Sequence, residues 1–554
     1  MTNDKGPPHA RSGTSHDVVV IGSGFGGSIS ANRLSLSGVN VLVLERGPWR
    51  DSLPVRSLGI TERSPFPYGG RFATHFVRSI NIGRGNTSGS VEGVQQLRPM
   101  REQLRARGFQ LLRGLTATGR RGVLVNKHGM YELFSYPGID ALCVSAVGGG
   151  SHGWLGQLVE PCDLSYWENR HPELGTEHVS RYYGKIRSDL GATRLTRQHS
   201  VQNSVWTELP GSAGQRCQPT DPQPESAYLY PQFDTDAGRL REDGASVPRR
   251  ICAFDGDGFL GSRTGAKSSV DFAYLAPALN NGVTVRALCE ARRVVREPDS
   301  MGGGYVVHYR DLRGKVDGIA RAKRVVLAAG TMNTLRLLFD GQRRNDLAVM
   351  PSLGNTFGGN GDALGVYFKN SAGPSTLHAP PFLGQFRVDD AESPFFGLAA
   401  GCGLETLPLP SRVKRRLERV VLVLAMGADS GRGSAHFVRG RLEIDYDKTN
   451  EPIFDRIADG FDALEADTGL HVAGWRKPLS VHAWGGACLG PDPEHGVVDH
   501  RGEVYGNPGL FIADAAALPA AVGAPPSLAI AAWAHHVADR LAERCVAPPA
   551  PDGS

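Results

Sequence analysis

Three observations in this chain predict an α/β fold built on a discontinuous parallel sheet. First, residues 16–47 read as strand, glycine turn, helix, strand and acid. Asp17–Ile21 is short, apolar and β-branched, the composition of a strand buried on both faces. It runs into Gly22-Ser23-Gly24-Phe25-Gly26-Gly27, where glycines 22, 24 and 27 have the G-x-G-x-x-G spacing. Second, apolar runs of the same kind return at Val325–Gly330 and Gly509–Asp514, so strands of one sheet come from the beginning, middle and end of the chain. Third, the long stretches between these runs carry strands and helices of another pattern. The prediction is a Rossmann-like dinucleotide-binding domain interrupted by a discontinuous α+β domain, an antiparallel sheet with helices.

The elements follow in order. Gly22 permits a tight turn, Gly24 lets a pyrophosphate approach the backbone, and Gly27 lets the next helix pack close to the strand. That helix is expected at about 28–37, with its amide-rich N-terminus toward a diphosphate. A second strand, Val39–Leu44, ends in Glu45, 23 positions after Gly22, close to the spacing of an acid that holds an adenosine ribose. Residues 48–135 are rich in Pro, Gly and Arg and read as a cover. Ala141–Val147 is a strand leading into a second glycine turn, Gly148–Gly153. Residues 165–250 read as mostly helical, then irregular, with an extended stretch at Ala227–Phe233. Ser268–Leu279 is expected to be a helix and Val283–Leu288 a strand. A meander through Ala291–Arg296, Gly304–Arg310 and Val325–Gly330 then enters a helix at Thr331. The stretch 346–475 holds candidate strands Phe382–Val388, Val420–Ala425 and Ala435–Tyr446 and the helix Ile453–Thr468. A long apolar helix, Ser527–Arg544, closes the chain. The domain reading is a disordered tail at 1–15; a nucleotide domain at 16–50, 136–164, 251–345 and 476–545; a lid at 51–135; and a substrate domain at 165–250 and 346–475.

Composition narrows the function classes. The chain has 554 residues, 40% of them hydrophobic and 21% charged, with a net charge of +5. This is the profile of a globular protein with ample core. The Arg residues are scattered except in Val413–Arg419, which reads as a solvated helix face and not as a nucleic-acid site. No run of 18 apolar residues predicts a membrane span, and the first fifteen residues lack the apolar segment of a signal peptide. The eight cysteines are far apart without a C-x-x-C pair, so the expectation is free thiols in the cytoplasm and no metal. Nothing in the sequence specifies an oligomeric state.

Four blocks in order carry a specific resemblance: GSGFGG with Glu45; GGGS followed by Val159-Glu160-Pro161; VVLAAGTMNTLRLL; and VHAWGGACLG with LFIADAAALPAAVGAPPSLAIAAWA. Together they resemble the glucose–methanol–choline (GMC) oxidoreductases, above all their cholesterol-oxidase branch, over about residues 16–544. The resemblance implies FAD, bound non-covalently, as cofactor. It implies binding by Gly22, Gly24, Phe25, Gly26, Gly27 and Glu45; by Gly149, Gly150 and Ser151 in the loop passing the isoalloxazine; by Ala291 at adenine; by Asp514 near the ribityl–diphosphate; and by Pro525, Pro526 and Ser527 at the flavin. The last helix starts near Ser527, and its positive end suits negative charge developing on the cofactor.

The resemblance also implies oxidation of a C–OH, or an activated C–H, by hydride transfer to flavin N5. The electrons then pass to O2 or another acceptor. His482 matches the family's active-site base, and His is suited to that work near neutral pH. The family's second polar residue is replaced by Pro525, which offers no side-chain donor or acceptor and no N–H. Trp154 stands where the family has Asn in the loop after GGGS. The expected substrate is therefore a bulky apolar small molecule, sterol-like or a product of secondary metabolism. His152 lies one position before the residue that carries covalent FAD in some members, so no covalent link is expected. His535-His536 reads as a packed or helix-surface pair. Two alternatives stand beside this reading. One is a flavin-containing lyase, isomerase or cyclase on the same fold. The other is a Ser hydrolase, because Gly149-x-Ser151-x-Gly153 also matches G-x-S-x-G.

Overall fold

A computed structural model describes residues 15–64, 80–82, 130–194, 196–197, 204–209, 211–229, 247–252, 261–298, 300, 302–370, 381–390, 393–400, 410–475 and 477–546. The tail up to residue 14, most of the lid and the end of the extended stretch after Leu229 lie outside these residues.

The main sheet has the parallel core that the three apolar runs predict. Ser15–Ile21 pairs in parallel with Val41–Leu44 on one side and with the end of Val316–Leu327 on the other. Thr284–Arg286 extends the sheet beyond Val41–Leu44, and Leu510–Ile512 pairs with Val325–Leu327. The paired cores of these strands, Val18–Ile21, Val41–Leu44, Val325–Leu327 and Leu510–Ile512, are apolar and buried. Helix Phe25–Leu36 packs against the sheet and against the last helix, Ser527–Val546. Val316–Leu327 is long enough to serve twice: its first half closes an antiparallel meander with Cys289–Arg296 and Tyr305–Asp311. The expected helix Ser268–Leu279 is two short helices, Val270–Ala273 and Leu275–Asn280. Pro277 explains the break, since it has no N–H for the carbonyl of Ala273 and its ring crowds that turn.

A second, antiparallel sheet runs in the order Ala473–Gly474, Ala363–Phe368, Val420–Met426, Phe395–Ala400, Phe382–Val388, Cys217–Pro219. Its central strand, VVLVLAM, alternates. Val421, Val423 and Ala425 share a buried cluster with Ile457 and Leu464 of helix Ile453–Thr468. Leu422, Leu424 and Met426 point the other way, as the two-residue period of a strand requires. Gly460 lets the helix sit directly on Phe396; a Cβ there would lie 2.1 Å from the ring. Ala435–Tyr446 is a hairpin, Ser434–Val438 with Arg441–Asp445. Its turn holds Arg439 and Gly440, both at positive φ. Helix Ser411–Leu417 buries no residue, which suits its basic composition.

A small sheet joins the two large ones. Leu479–Ser480 pairs with Asp140–Val144, which pairs in turn with Tyr131–Ser135. That hairpin spans the boundary drawn at residue 135 between lid and nucleotide domain. The strand Leu479–Ser480 delivers His482 to the junction between the main and antiparallel sheets.

Candidate functional site

One continuous cavity of ≈ 570 Å³ runs from the glycine turn to the antiparallel sheet. At one end lies Glu45, buried, accepting hydrogen bonds from Ser23 N (2.9 Å), Ser23 Oγ (2.7 Å) and Gly47 N (2.7 Å). Burial raises its pKa above the ordinary carboxylate range. Ala291 lines the cavity on the same side.

The glycines divide by what holds them. A Cβ on Gly22 would meet Ala328 O at 2.2 Å, on Gly26 Ala513 O at 2.2 Å, and on Gly27 Gly22 O at 2.0 Å. These three are required by the protein's own packing. Gly24 is different: the nearest atom to a Cβ there is Gly149 Cα at 3.9 Å. Beside Gly150 nothing lies within 4 Å. Space that the fold does not need is thus kept open at the helix N-terminus, where a diphosphate would meet free N–H groups. The open space fits a dinucleotide, and Glu45 and Ala291 line the cavity beside it. Gly27 serves the helix packing and does not line the cavity.

Asp514 joins the sheet ends across this floor. Its carboxylate accepts from Gly330 N (2.9 Å), Thr334 Oγ1 (2.6 Å) and Ala516 N (3.0 Å). Burial pushes its pKa up to about 6.

The second glycine turn is clamped from behind by Lys267–Asp271. Lys267 Nζ donates to His152 O (2.8 Å) and Trp154 O (2.7 Å), and Trp154 Nε1 donates to Ser268 O (3.2 Å). Gly149, Gly150, Gly153 and Trp154 face the cavity. Ser151 does not. Its Oγ is fully buried, donating to Gly148 O (2.7 Å) and accepting from Val270 N (3.1 Å). This corrects two expectations. Ser151 holds the loop's shape and does not itself face the cofactor space, and it cannot serve as a hydrolase nucleophile because no substrate reaches it. His152 is also turned away, with Nε2 donating to Val147 O at 2.7 Å and lying 3.5 Å from buried Asp271. Burial keeps it neutral by lowering its pKa. Gly153 carries no side chain that could bond a cofactor.

At the far end, His482 stands on the wall. Its Nδ1 lies 2.9 Å from Asp362 Oδ1. Asp362 is buried and also accepts from Val481 N (2.8 Å) and Ser480 Oγ (3.3 Å). The carboxylate fixes the proton on Nδ1 and leaves the Nε2 lone pair free. Two residues on, Trp484 Nε1 donates to Asp429 Oδ1 (2.9 Å), a buried carboxyl raised to about 6 by desolvation. Asp362 is the functional residue that sequence reasoning missed. It lies 120 positions from His482. Its local signal is the turn Asn360-Gly361, both at positive φ. Asn360 also ties down the opposite wall, with Nδ2 donating to Ala524 O (3.0 Å) and Oδ1 accepting from Gly523 N (2.8 Å). Pro525, Pro526 and Ser527 line the cavity, and Pro525 offers no side-chain donor or acceptor and no N–H. Leu364, Phe382, Phe395, Leu422, Leu424 and Met426 add an apolar wall.

Other histidines lie elsewhere. His535 is fully buried and stacks on Tyr182 with centroids 5.1 Å apart; burial lowers its pKa to about 3. His171, Glu173 and His500 bring ligand-type atoms within 4.8 Å of one another. Two of these groups are engaged locally: His171 Nδ1 accepts from Glu173 N (3.0 Å) and His500 Nε2 from Arg501 Nε (3.0 Å).

A dinucleotide cradle that opens onto a carboxylate-held histidine in an apolar chamber defines an FAD-dependent oxidoreductase acting on CH–OH groups. Family models agree: an FAD binding domain matches residues 15–64, and GMC oxidoreductase models match 244–344 and 446–534. The chain thus carries two GMC oxidoreductase segments, and over nearly its whole length it is similar to cholesterol oxidases. It is 25% identical to a cholesterol oxidase of Mycobacterium tuberculosis (strain ATCC 25618 / H37Rv), over 94% of this chain and 90% of the relative. A long-chain-alcohol oxidase, FAO4B, of Arabidopsis thaliana is 22% identical over 95% of this chain and 67% of its own length. A cholesterol oxidase of Acinetobacter baumannii is 21% identical over 94% and 93%. No helix among the described residues is long and apolar enough to cross a membrane.

Proposed function

We propose that this protein oxidises the C–OH, or an activated C–H, of a bulky and largely apolar substrate, sterol-like or a natural product of secondary metabolism, with O2 or another acceptor taking the electrons. The observation that carries the reading is the Asp362–His482 pair on a cavity wall that also carries Leu364, Phe382, Phe395, Leu422, Leu424 and Met426. FAD, when bound, supplies the hydride acceptor. The chain's own groups do the rest. His482 Nε2 takes the hydroxyl proton, and Asp362 stabilises the imidazolium that results. The Leu, Phe and Met wall binds the hydrocarbon body and excludes water, which strengthens the polar contacts inside. Relatives named for cholesterol and for long-chain alcohols support an apolar alcohol. The free thiols of the seven described cysteines support a cytoplasmic setting.

One observation favours a second reading, a flavin-containing lyase, isomerase or cyclase: with Pro525 in place, His482 works without a second polar side chain from the loop before the last helix. Anaerobic mixing with sterols, long-chain alcohols and polycyclic secondary alcohols separates the two. Bleaching of the flavin absorbance is expected. Conversion of a substrate without bleaching would overturn net oxidation.

A further inference from the structure

Gln157 is an unexplained polar group on the cavity wall. It is 4% exposed, and its Oε1 has no hydrogen-bond partner. Its Nε2 is directed to Leu155 O (3.2 Å) and Ser226 Oγ (3.5 Å), so the oxygen is the unsatisfied end. A buried acceptor without a donor is costly, and one on a ligand cavity points to a donor on the ligand. The backbone locates it: Gln157 O accepts from Ser527 Oγ at 2.9 Å, so Gln157 lies beside the start of the 20-residue last helix.

Glu45, Ala291 and the glycine turn occupy the nucleoside and diphosphate end. A dinucleotide laid from there brings its isoalloxazine to the end formed by Gly150, Trp154, Pro525 and Ser527. One edge of that ring system is apolar dimethylbenzene. The other, the pyrimidine, reads acceptor, donor, acceptor as O2, N3–H and O4. The first N–H groups of a helix lack intrahelical partners and suit an acceptor. Gln157 Oε1 beside them suits a donor. The oxidised ring has one N–H, at N3.

We infer that Gln157 is a cofactor-reading residue whose side-chain oxygen accepts the flavin N3–H. The last torsion of a Gln side chain is soft, so rotation about it can turn the buried oxygen toward the cavity that the residue lines. The inference rests on FAD occupying this cavity with its flavin toward His482. Removing the contact is expected to cost about tenfold in cofactor affinity, the scale of one net hydrogen bond.

The test reconstitutes flavin-free protein with FAD and with FAD methylated at N3, following binding by fluorescence quenching. The parent protein is expected to prefer FAD by about tenfold or more. Gln157→Met, close in size and without an acceptor, is expected to bring the two affinities within about threefold. A Gln157→Met protein that keeps the parental preference overturns the inference. So does a parent that binds both cofactors equally. A parent that binds neither defeats the FAD placement instead. If Gln157→Met does not fold, the same comparison in Gln157→Leu decides.

Discussion

Replacing Asp362 by Asn is expected to disable the histidine while leaving the cofactor in place. The argument is stereochemical. Asp362 accepts on both oxygens: Oδ1 from His482 Nδ1 at 2.9 Å, and Oδ2 from Val481 N at 2.8 Å and Ser480 Oγ at 3.3 Å. An Asn has one acceptor. Keeping its oxygen on the rigid Val481 N–H turns its NH2 toward His482. Nδ1 must then accept, the ring proton moves to Nε2, and the atom that faces the substrate becomes a donor. General-base catalysis is worth about 10²–10⁴-fold, or about 3–5 kcal/mol of barrier. The full range is at stake, since Pro525 brings no second polar group. Asp362 is remote from Gly24 and Glu45, so FAD content stays parental. Stopped-flow flavin bleaching under anaerobic conditions measures the rate for Asp362→Asn, His482→Ala and the double variant. Because the two residues act as one unit, the double variant is expected to be no slower than His482→Ala. The reasoning is refuted if Asp362→Asn reduces its flavin within about threefold of the parent, or if the two losses multiply.

Four further outcomes follow from the geometry. Gly24→Val is expected to fold and melt near the parental temperature yet purify colourless, because the fold leaves that space open; Gly27→Ala, whose Cβ would lie 2.0 Å from Gly22 O, is expected not to fold. Acid precipitation should leave the yellow cofactor in the supernatant, since His152 faces Val147 O; colour in the pellet would show a covalent bond. Leu424→Trp fills the apolar wall, so kcat/KM should fall by about tenfold or more for bulky alcohols and little for short ones; equal losses would place the substrate elsewhere. Asp514 is held at about 6, whereas an unfolded Asp ionises near 3.9. The unfolded chain therefore binds fewer protons between about pH 4 and 6, and flavin-free protein should lose stability as pH rises through that window. Thermal melts of Asp514→Asn at the two ends of the window should show a smaller drop than the parent; an equal drop would show that this carboxyl is not the cause.

The sequence by itself determined the local and the repeated. Gly22, Gly24 and Gly27 mark a strand–turn–helix because backbone conformation and close approach demand residues without Cβ at that spacing. Buried parallel strands announce themselves as continuous β-branched runs, so the sheet's three chain segments were readable. The apolar run Val420–Ala425 and the span of Ile453–Thr468 were readable for the same reason: each is a local pattern in one dimension, whereas which face of the strand each side chain takes came from the structure. The family blocks nominated Glu45, Asp514 and His482. What they could not show was which side chains turn toward the cavity. Ser151 lies in a motif that serves either flavin or nucleophile, and only the packing of Val270 and Gly148 against its hydroxyl decides that it does neither directly. Asp362 and Gln157 carry no motif. Each gains its place from a contact across long sequence separation, to His482 and to Ser527, made by bringing the antiparallel sheet and the last helix against one chamber. Hydrogen-bond partners 120 or 370 positions apart leave no period in the chain, so tertiary structure alone decides them.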